Sequence, residues 1–286
     1  MTRDNDTVAL ASDDFRRERR YLAPWVFFWP DGEEPTSYPP PSDLVTIRAW
    51  RGIMDLPTDV ALKSTSYEGS VFVRLHQLQA DWIHSWPAIG DAPFLDEPAL
   101  LVGEEFDALV FNTLHGWYRQ ALGCLRNALE ILTVAAALAI RRDKKLFTQW
   151  RSGQAEVKFG NARELLRDSA VGKQIEDDAA PHSVFGDASS AWLKSRYGRL
   201  CAYAHSEAGF NNADFWRSNG PILVRSALPV VEAEFRETLA LSYLLVRISW
   251  PSYEPGQGQP ALLNGPQGSW ASYGGVLRQW LKTPAP

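Results

Sequence analysis

Apolar residues recur at helical spacing through the middle of the chain. Between residues 104 and 142 they follow one another at steps of three and four, which predicts a single long helix with one face toward a core. A basic run at 141–145 suits the end of such a helix, because cations are favoured at a helix C-terminus. The stripe consists of Phe106, Val110, Leu114, Trp117, Ala121, Leu125, Ala128 and Leu132.

A second stripe on the same predicted helix is polar. Its members fall at steps of 3, 4, 7, 4 and 3, so they line up along one side of the rod. Gly116 and Gly123, one heptad apart, would let another helix approach closely. The polar stripe consists of Asn112, His115, Arg119, Arg126, Glu130 and Thr133.

Further helices are predicted before and after proline- and glycine-rich breaks. The region 43–99 has both strand-like and helix-like patterns, and the two readings stay open. The remaining predicted elements are a helix over 161–178 capped by Asn161, a helix over 189–209, a candidate short strand over 222–225, a helix over 228–249 and one or two helical turns over 273–282.

These elements predict a mainly α-helical protein. We expect a helical domain over 101–250 as its core. An N-terminal accessory region of mixed or irregular structure, residues 1–100, precedes it, and a Pro/Gly-rich C-terminal tail, residues 251–286, follows it.

Composition narrows the classes of function. The net charge of −5 argues against a protein that coats nucleic acid, because such proteins gain affinity by neutralising phosphates. Two cysteines, Cys124 and Cys201, form neither a disulfide framework nor a metal set, so a reducing cytoplasm is expected, with no metal and no cofactor. The uncharged apolar run over 131–140 is about half the length of a bilayer span, so no membrane association is expected.

The helix over 189–209 carries the candidate chemistry. Ser189 or Ser190 would cap its start, and Gly209 would follow its end. Arg199 and His205 stand on it with five residues between them. A guanidinium binds phosphate well, and an imidazole transfers protons near neutral pH.

The tract from Arg199 to His205, together with the long preceding helix that carries Arg119, Arg126 and Glu130, resembles the HEPN superfamily over roughly 104–250. These small all-α domains occur in toxin and abortive-infection ribonucleases and in non-catalytic relatives. The resemblance implies an HEPN-like helical bundle that cleaves RNA without a metal as a homodimer, in which two Arg/His helices face each other.

The same resemblance implies roles for individual residues. His205 would act as acid or base on the ribose 2′-hydroxyl, and Arg199 would hold the scissile phosphate. Apart from the resemblance, we expect Arg126 with Glu130, and Arg119, to orient the Arg199 side chain, and Tyr203 to lie in the core with its hydroxyl able to reach a phosphate. On an ideal helix, six positions rise about 9 Å and turn about 120°, so Arg199 and His205 meet one phosphate only through arginine reach, a bent helix end or a partner's copy.

Two further readings stay open beside the toxin or antiphage-defence ribonuclease, which could also have a neutralising protein partner. One is a non-catalytic module that binds a nucleotide or a partner helix; Leu200 favours it, because catalytic members often have a polar residue directly after the arginine. The other is a structural protein in which Arg199 and His205 satisfy buried carbonyls. Arg126 and Glu130 are also the i,i+4 pair of an ordinary helix-stabilising ion pair.

Overall fold

A computed structural model describes residues 47–85, 92–205, 221–253 and 268–282, and all regular structure in them is helical. The mainly α-helical class is therefore confirmed. The candidate strand over 222–225 is not formed, because residues 221–224 have no regular structure and 225–226 form a turn. Residues 1–46 of the predicted accessory region lie outside the described residues, as do the predicted helix end at 206–209 and residues 254–267 of the tail.

The helices follow one another along the chain with short connections. A 3₁₀ helix, Gly268–Tyr273, precedes the last of them. In chain order they are α1 (Ile47–His84), α2 (Asp96–Leu114), α3 (Tyr118–Arg141), α4 (Lys144–Arg151), α5 (Phe159–Asp168), α6 (Ala170–Ala179), α7 (Trp192–His205), α8 (Ala227–Ser249) and α9 (Gly274–Lys282).

Helix α3 is the centre of the bundle and touches α2, α5, α7 and α8. Leu122, Leu125, Leu129 and Leu132 have no exposed surface. Among the described helices, α3 alone is long and apolar enough to cross a bilayer, and 56% of its most apolar stretch is buried inside the protein. Such burial is typical of the core helix of a soluble protein.

The prediction of one long helix over 104–142 is wrong, because the chain breaks at residues 115–117 between α2 and α3. Gly116 adopts a φ of +78°, which favours glycine. The backbone of Ile222 packs against it so closely that a Cβ at position 116 would lie 2.6 Å from the Ile222 nitrogen. The Tyr118 hydroxyl accepts a hydrogen bond from the Val224 amide at 3.0 Å, which fixes residues 221–224 across the break.

The predicted helix over 161–178 is also divided in two. Helix α5 begins after Lys158 rather than after Asn161 and ends before Ser169. The hydroxyl of Ser169 accepts a hydrogen bond from the Gly172 amide at 3.0 Å, so Ser169 caps α6.

The two ends of the described chain pack onto the same core. Helix α1, kinked at Glu68, buries Leu75, Leu78 and Trp82 there, so the helical reading of its part of region 43–99 is confirmed. The predicted boundary at residue 100 falls inside α2. Helix α9 confirms the predicted turns over 273–282, and it buries Leu277 in the same core.

Candidate functional site

The predicted Arg/His pair lies on α7, and the structure describes its arginine half. His205 is the last residue of α7, and its side chain lies outside the described residues. The side chain of Arg199 is 47% exposed. Leu200, the residue after it, has no exposed surface and belongs to the core.

Arg199 is held by side chains of α8 and of its own helix. Its Nε lies 2.8 Å from Oε1 of Glu234, and its Nη2 donates to the Tyr203 hydroxyl at 3.4 Å. Burial disfavours the charged guanidinium and is the largest influence on it, but Glu234, Tyr203 and Glu237 together outweigh burial and hold the pKa of Arg199 above its ordinary value. The partners of Arg199 among the described residues are therefore side chains, not the buried carbonyls that a purely structural role predicted.

Glu234 belongs to a row of five interacting side chains, the first four of them buried, which we call the charge line: Trp192, Glu237, Arg196, Glu234 and Arg199. The Trp192 indole donates to Oε1 of Glu237 at 2.7 Å. The Arg196 guanidinium then bridges the two carboxylates, with Nη2 on Oε2 of Glu237 and Nη1 on Oε2 of Glu234. The charge line thus runs from a buried indole to the half-exposed guanidinium of Arg199.

Helical spacing explains why these side chains meet. Trp192, Arg196 and Arg199 stand at i, i+4 and i+7, which is one face of α7. Glu234 and Glu237, three residues apart, share a face of α8. Arg196, Glu234 and Glu237 were not among the predicted site residues. The signal that could have found the two carboxylates is their spacing of three residues among the apolar positions of α8.

A second polar cluster joins α3 to the other side of α7. Nη2 of Arg126 lies 3.0 Å from Oε2 of Glu130 and donates to the Tyr197 hydroxyl at 2.9 Å. That hydroxyl donates to Glu130 at 3.0 Å, and Nε of Arg126 lies 3.3 Å from Sγ of Cys201. Burial and the Glu130 carboxylate raise the pKa of Tyr197, so it stays a neutral donor. Among the described contacts, Arg126 and Glu130 orient Tyr197 and Cys201, whereas Glu234 orients Arg199.

The other predicted site residues lie close to the C-terminal end of α7. Nη2 of Arg119 lies 3.4 Å from the carbonyl oxygen of Ala204, where a helix favours positive charge. Tyr203 is buried, and the Arg199 guanidinium lies 6.0 Å from the centre of its ring. Nδ1 of His115 lies 2.8 Å from the Phe111 carbonyl oxygen at the end of α2.

Cys124 is predicted to be the less reactive of the two free thiols. Burial, with a contribution from Glu105, raises its pKa to about 12. Because the thiolate is the reacting species, alkylation of Cys124 at pH 8 should be on the order of a thousandfold slower than that of an ordinary thiol. Iodoacetamide labelling followed by peptide mass spectrometry measures this, and denaturant should restore fast labelling. Rapid alkylation of Cys124 in the native protein would contradict the prediction.

The described arrangement presents a fixed, half-exposed guanidinium at the end of the charge line. Such a group can bind an anionic oxygen. Arg119 and Arg126 reach the C-terminal half of α7 from α3. Within the described ranges, no group of three or more His, Cys, Asp or Glu side chains could hold a metal ion. No family model, curated protein or solved structure matches this chain.

Proposed function

We propose that this protein is a metal-independent ribonuclease of the toxin or antiphage-defence type, which acts in the cytoplasm as a homodimer with an HEPN-like helical core. The observation that best supports this proposal is the environment of the Arg199 guanidinium. This guanidinium is fixed by a buried carboxylate, stays half exposed, and precedes His205 by six residues on one helix.

In the proposed reaction, Arg199 binds the scissile phosphate and His205 takes the proton of the ribose 2′-hydroxyl. The 2′-oxygen then attacks phosphorus, the bond to the 5′-oxygen breaks, and a 2′,3′-cyclic phosphate forms. The imidazole of the second copy gives a proton to the leaving 5′-oxygen. A cation held in place before the reaction stabilises the charge that develops on the phosphate oxygens.

The test is cleavage of a fluorescent RNA in EDTA by the wild type and by His205→Ala. The variant should lose at least about 100-fold in rate, because a positioned acid or base contributes that much or more. Arg199→Ala should also cleave more slowly, with a residual rate that stays measurable because His205 remains. His76→Ala is the matched control, since His76 is exposed on α1 and pairs with Gln79. Equal cleavage by wild type and His205→Ala, or none by either, would refute the proposed ribonuclease activity.

A second candidate function is a non-catalytic module that binds a nucleotide or a partner helix. Two observations favour it: the Glu234 carboxylate already offsets the charge of Arg199, and the residue that follows Arg199 is a core leucine. For this function, a nucleotide should raise the melting temperature without RNA turnover. The rise should disappear in Arg199→Ala.

A further inference from the structure

The geometry points to Glu234 as the positioning residue of this site, which holds the guanidinium of Arg199 in the orientation that meets a phosphate, with Arg196 as its buried anchor. The inference rests on the phosphate-binding role proposed for Arg199. It adds Arg196 on α7 and Glu234 on α8 to the site residues that were predicted on α7 and α3.

The two oxygens of Glu234 have separate partners. Oε1 lies 2.8 Å from Nε of Arg199, and Oε2 contacts Nη1 of Arg196. A carboxylate bound at both oxygens cannot rotate without breaking one ion pair. Arg196 is held in turn by Glu237, and Glu237 by the Trp192 indole. The position of Arg199 is therefore fixed by a chain of contacts that reaches into the core.

Burial shows which member of the charge line can meet a ligand. The side chains of Arg196, Glu234 and Glu237 are each at most 6% exposed, whereas that of Arg199 is 47% exposed. A buried side chain stays charged only when an opposite charge lies beside it, so Arg196, Glu234 and Glu237 neutralise one another. Arg199 is the member of the line that reaches the surface.

The contact of Glu234 with Nε of Arg199 should affect the rate of the catalytic step. A free arginine side chain loses rotamer entropy when a ligand orders it, and the contact with Glu234 removes part of that loss beforehand. Donors already oriented toward developing charge act in the transition state without reorganisation. Loss of the contact should therefore lower kcat.

The charge of Glu234 has the opposite effect on substrate binding. A carboxylate next to a phosphate site repels the bound anion, so its neutralisation should not weaken binding of RNA. A loss of kcat with unchanged or lower KM is the signature of an interaction that matters only in the transition state. A residue needed only for folding would also lower the apparent kcat, by reducing the amount of active protein, but that loss would persist in the Arg199→Ala background.

The experiment is a double-mutant cycle of Glu234→Gln with Arg199→Ala, measured by steady-state RNA cleavage in EDTA. Glu234→Gln alone should lower kcat by about 10- to 100-fold, which is the scale of a misplaced catalytic contact. In the Arg199→Ala background it should have no further effect, because Glu234 acts through Arg199. Glu232→Gln is the matched control: Glu232 lies on the same helix but pairs with Arg74 and Arg236.

Glu234→Asp serves if the glutamine variant does not fold. Aspartate keeps the buried charge beside Arg196 but is one methylene too short to reach both guanidinium groups. We therefore expect the same decrease in kcat, because Arg199 is no longer held in position. A full loss from either Glu234 variant that persists in the Arg199→Ala background would overturn the inference and leave the ribonuclease proposal standing.

A second measurement separates this inference from the proposed function. In protein labelled with ¹⁵N-arginine, the Nε–H signal of Arg199, assigned by its absence in Arg199→Lys, should be sharp and slow to exchange in the wild type and lost in Glu234→Gln. If the wild type does not cleave RNA, the ribonuclease proposal fails, and this signal alone decides whether Glu234 positions Arg199. An Nε–H signal that is unchanged in Glu234→Gln would overturn the inference.

Discussion

Replacement of Arg196 by alanine is expected to lower the free energy of unfolding by about 3–5 kcal/mol, the usual cost of removing one partner from a buried ion pair. Arg196 neutralises two carboxylates, Glu234 and Glu237, whose side chains are 3% exposed. Without it, Glu237 keeps the Trp192 indole as a donor but loses its positive partner, and Glu234 keeps only Arg199. Urea unfolding followed by circular dichroism measures the change.

The control for this prediction is a surface ion pair of the same type. Arg151 lies beside Glu97 with both side chains about half exposed, and such pairs contribute about 0–1 kcal/mol. Arg151→Ala should therefore change the free energy of unfolding by less than about 1 kcal/mol. If Arg196→Ala costs no more than Arg151→Ala, the carboxylates of the charge line are not held by Arg196.

The C-terminal segment supports the buried end of the charge line. The ring of Tyr273 stacks on Trp192, with ring centres 4.4 Å apart and planes within 8° of parallel. Its hydroxyl donates to the carbonyl of Ser183 at 3.1 Å. A segment that the sequence suggested was a tail thus packs on the indole that holds Glu237, and so it belongs to the environment of the site.

The helices were predictable because burial leaves a periodic trace in the sequence. The apolar residues of α8, which is almost wholly buried, repeat at helical spacing, and the prediction over 228–249 is confirmed within one residue. The break between α2 and α3 left no such trace. Both helices turn apolar faces toward one core, so the pattern runs on past Gly116, and only the backbone shows that the chain changes direction there.

The contacts and spacings of the site were predictable only between residues of the same helix. The spacing of Arg199 and His205 can be read from the sequence, and so can the i,i+4 pairing of Arg126 with Glu130, which the structure confirms at 3.0 Å. The contact of Arg199 with Glu234 joins α7 to α8, and the sequence does not predict how these two helices are placed against each other. Periodicity indicates which face of each helix is buried but not which faces meet.

The two glycines that the sequence treated alike are expected to respond to alanine in opposite directions. Gly116→Ala should lower the free energy of unfolding by about 2–5 kcal/mol, because a left-handed conformation costs a side chain roughly 1–2 kcal/mol and overpacking adds about 1–3 kcal/mol. Here the new Cβ meets the backbone of Ile222, which cannot move aside as a side chain would.

Gly123→Ala should instead stabilise the protein by about 0.5–1 kcal/mol. Gly123 lies within α3, and a Cβ there would meet nothing within 4 Å. Alanine adds helix propensity without a clash and restricts the unfolded chain. Urea unfolding of both variants measures the difference, and a loss of stability in Gly123→Ala equal to that in Gly116→Ala would contradict the prediction.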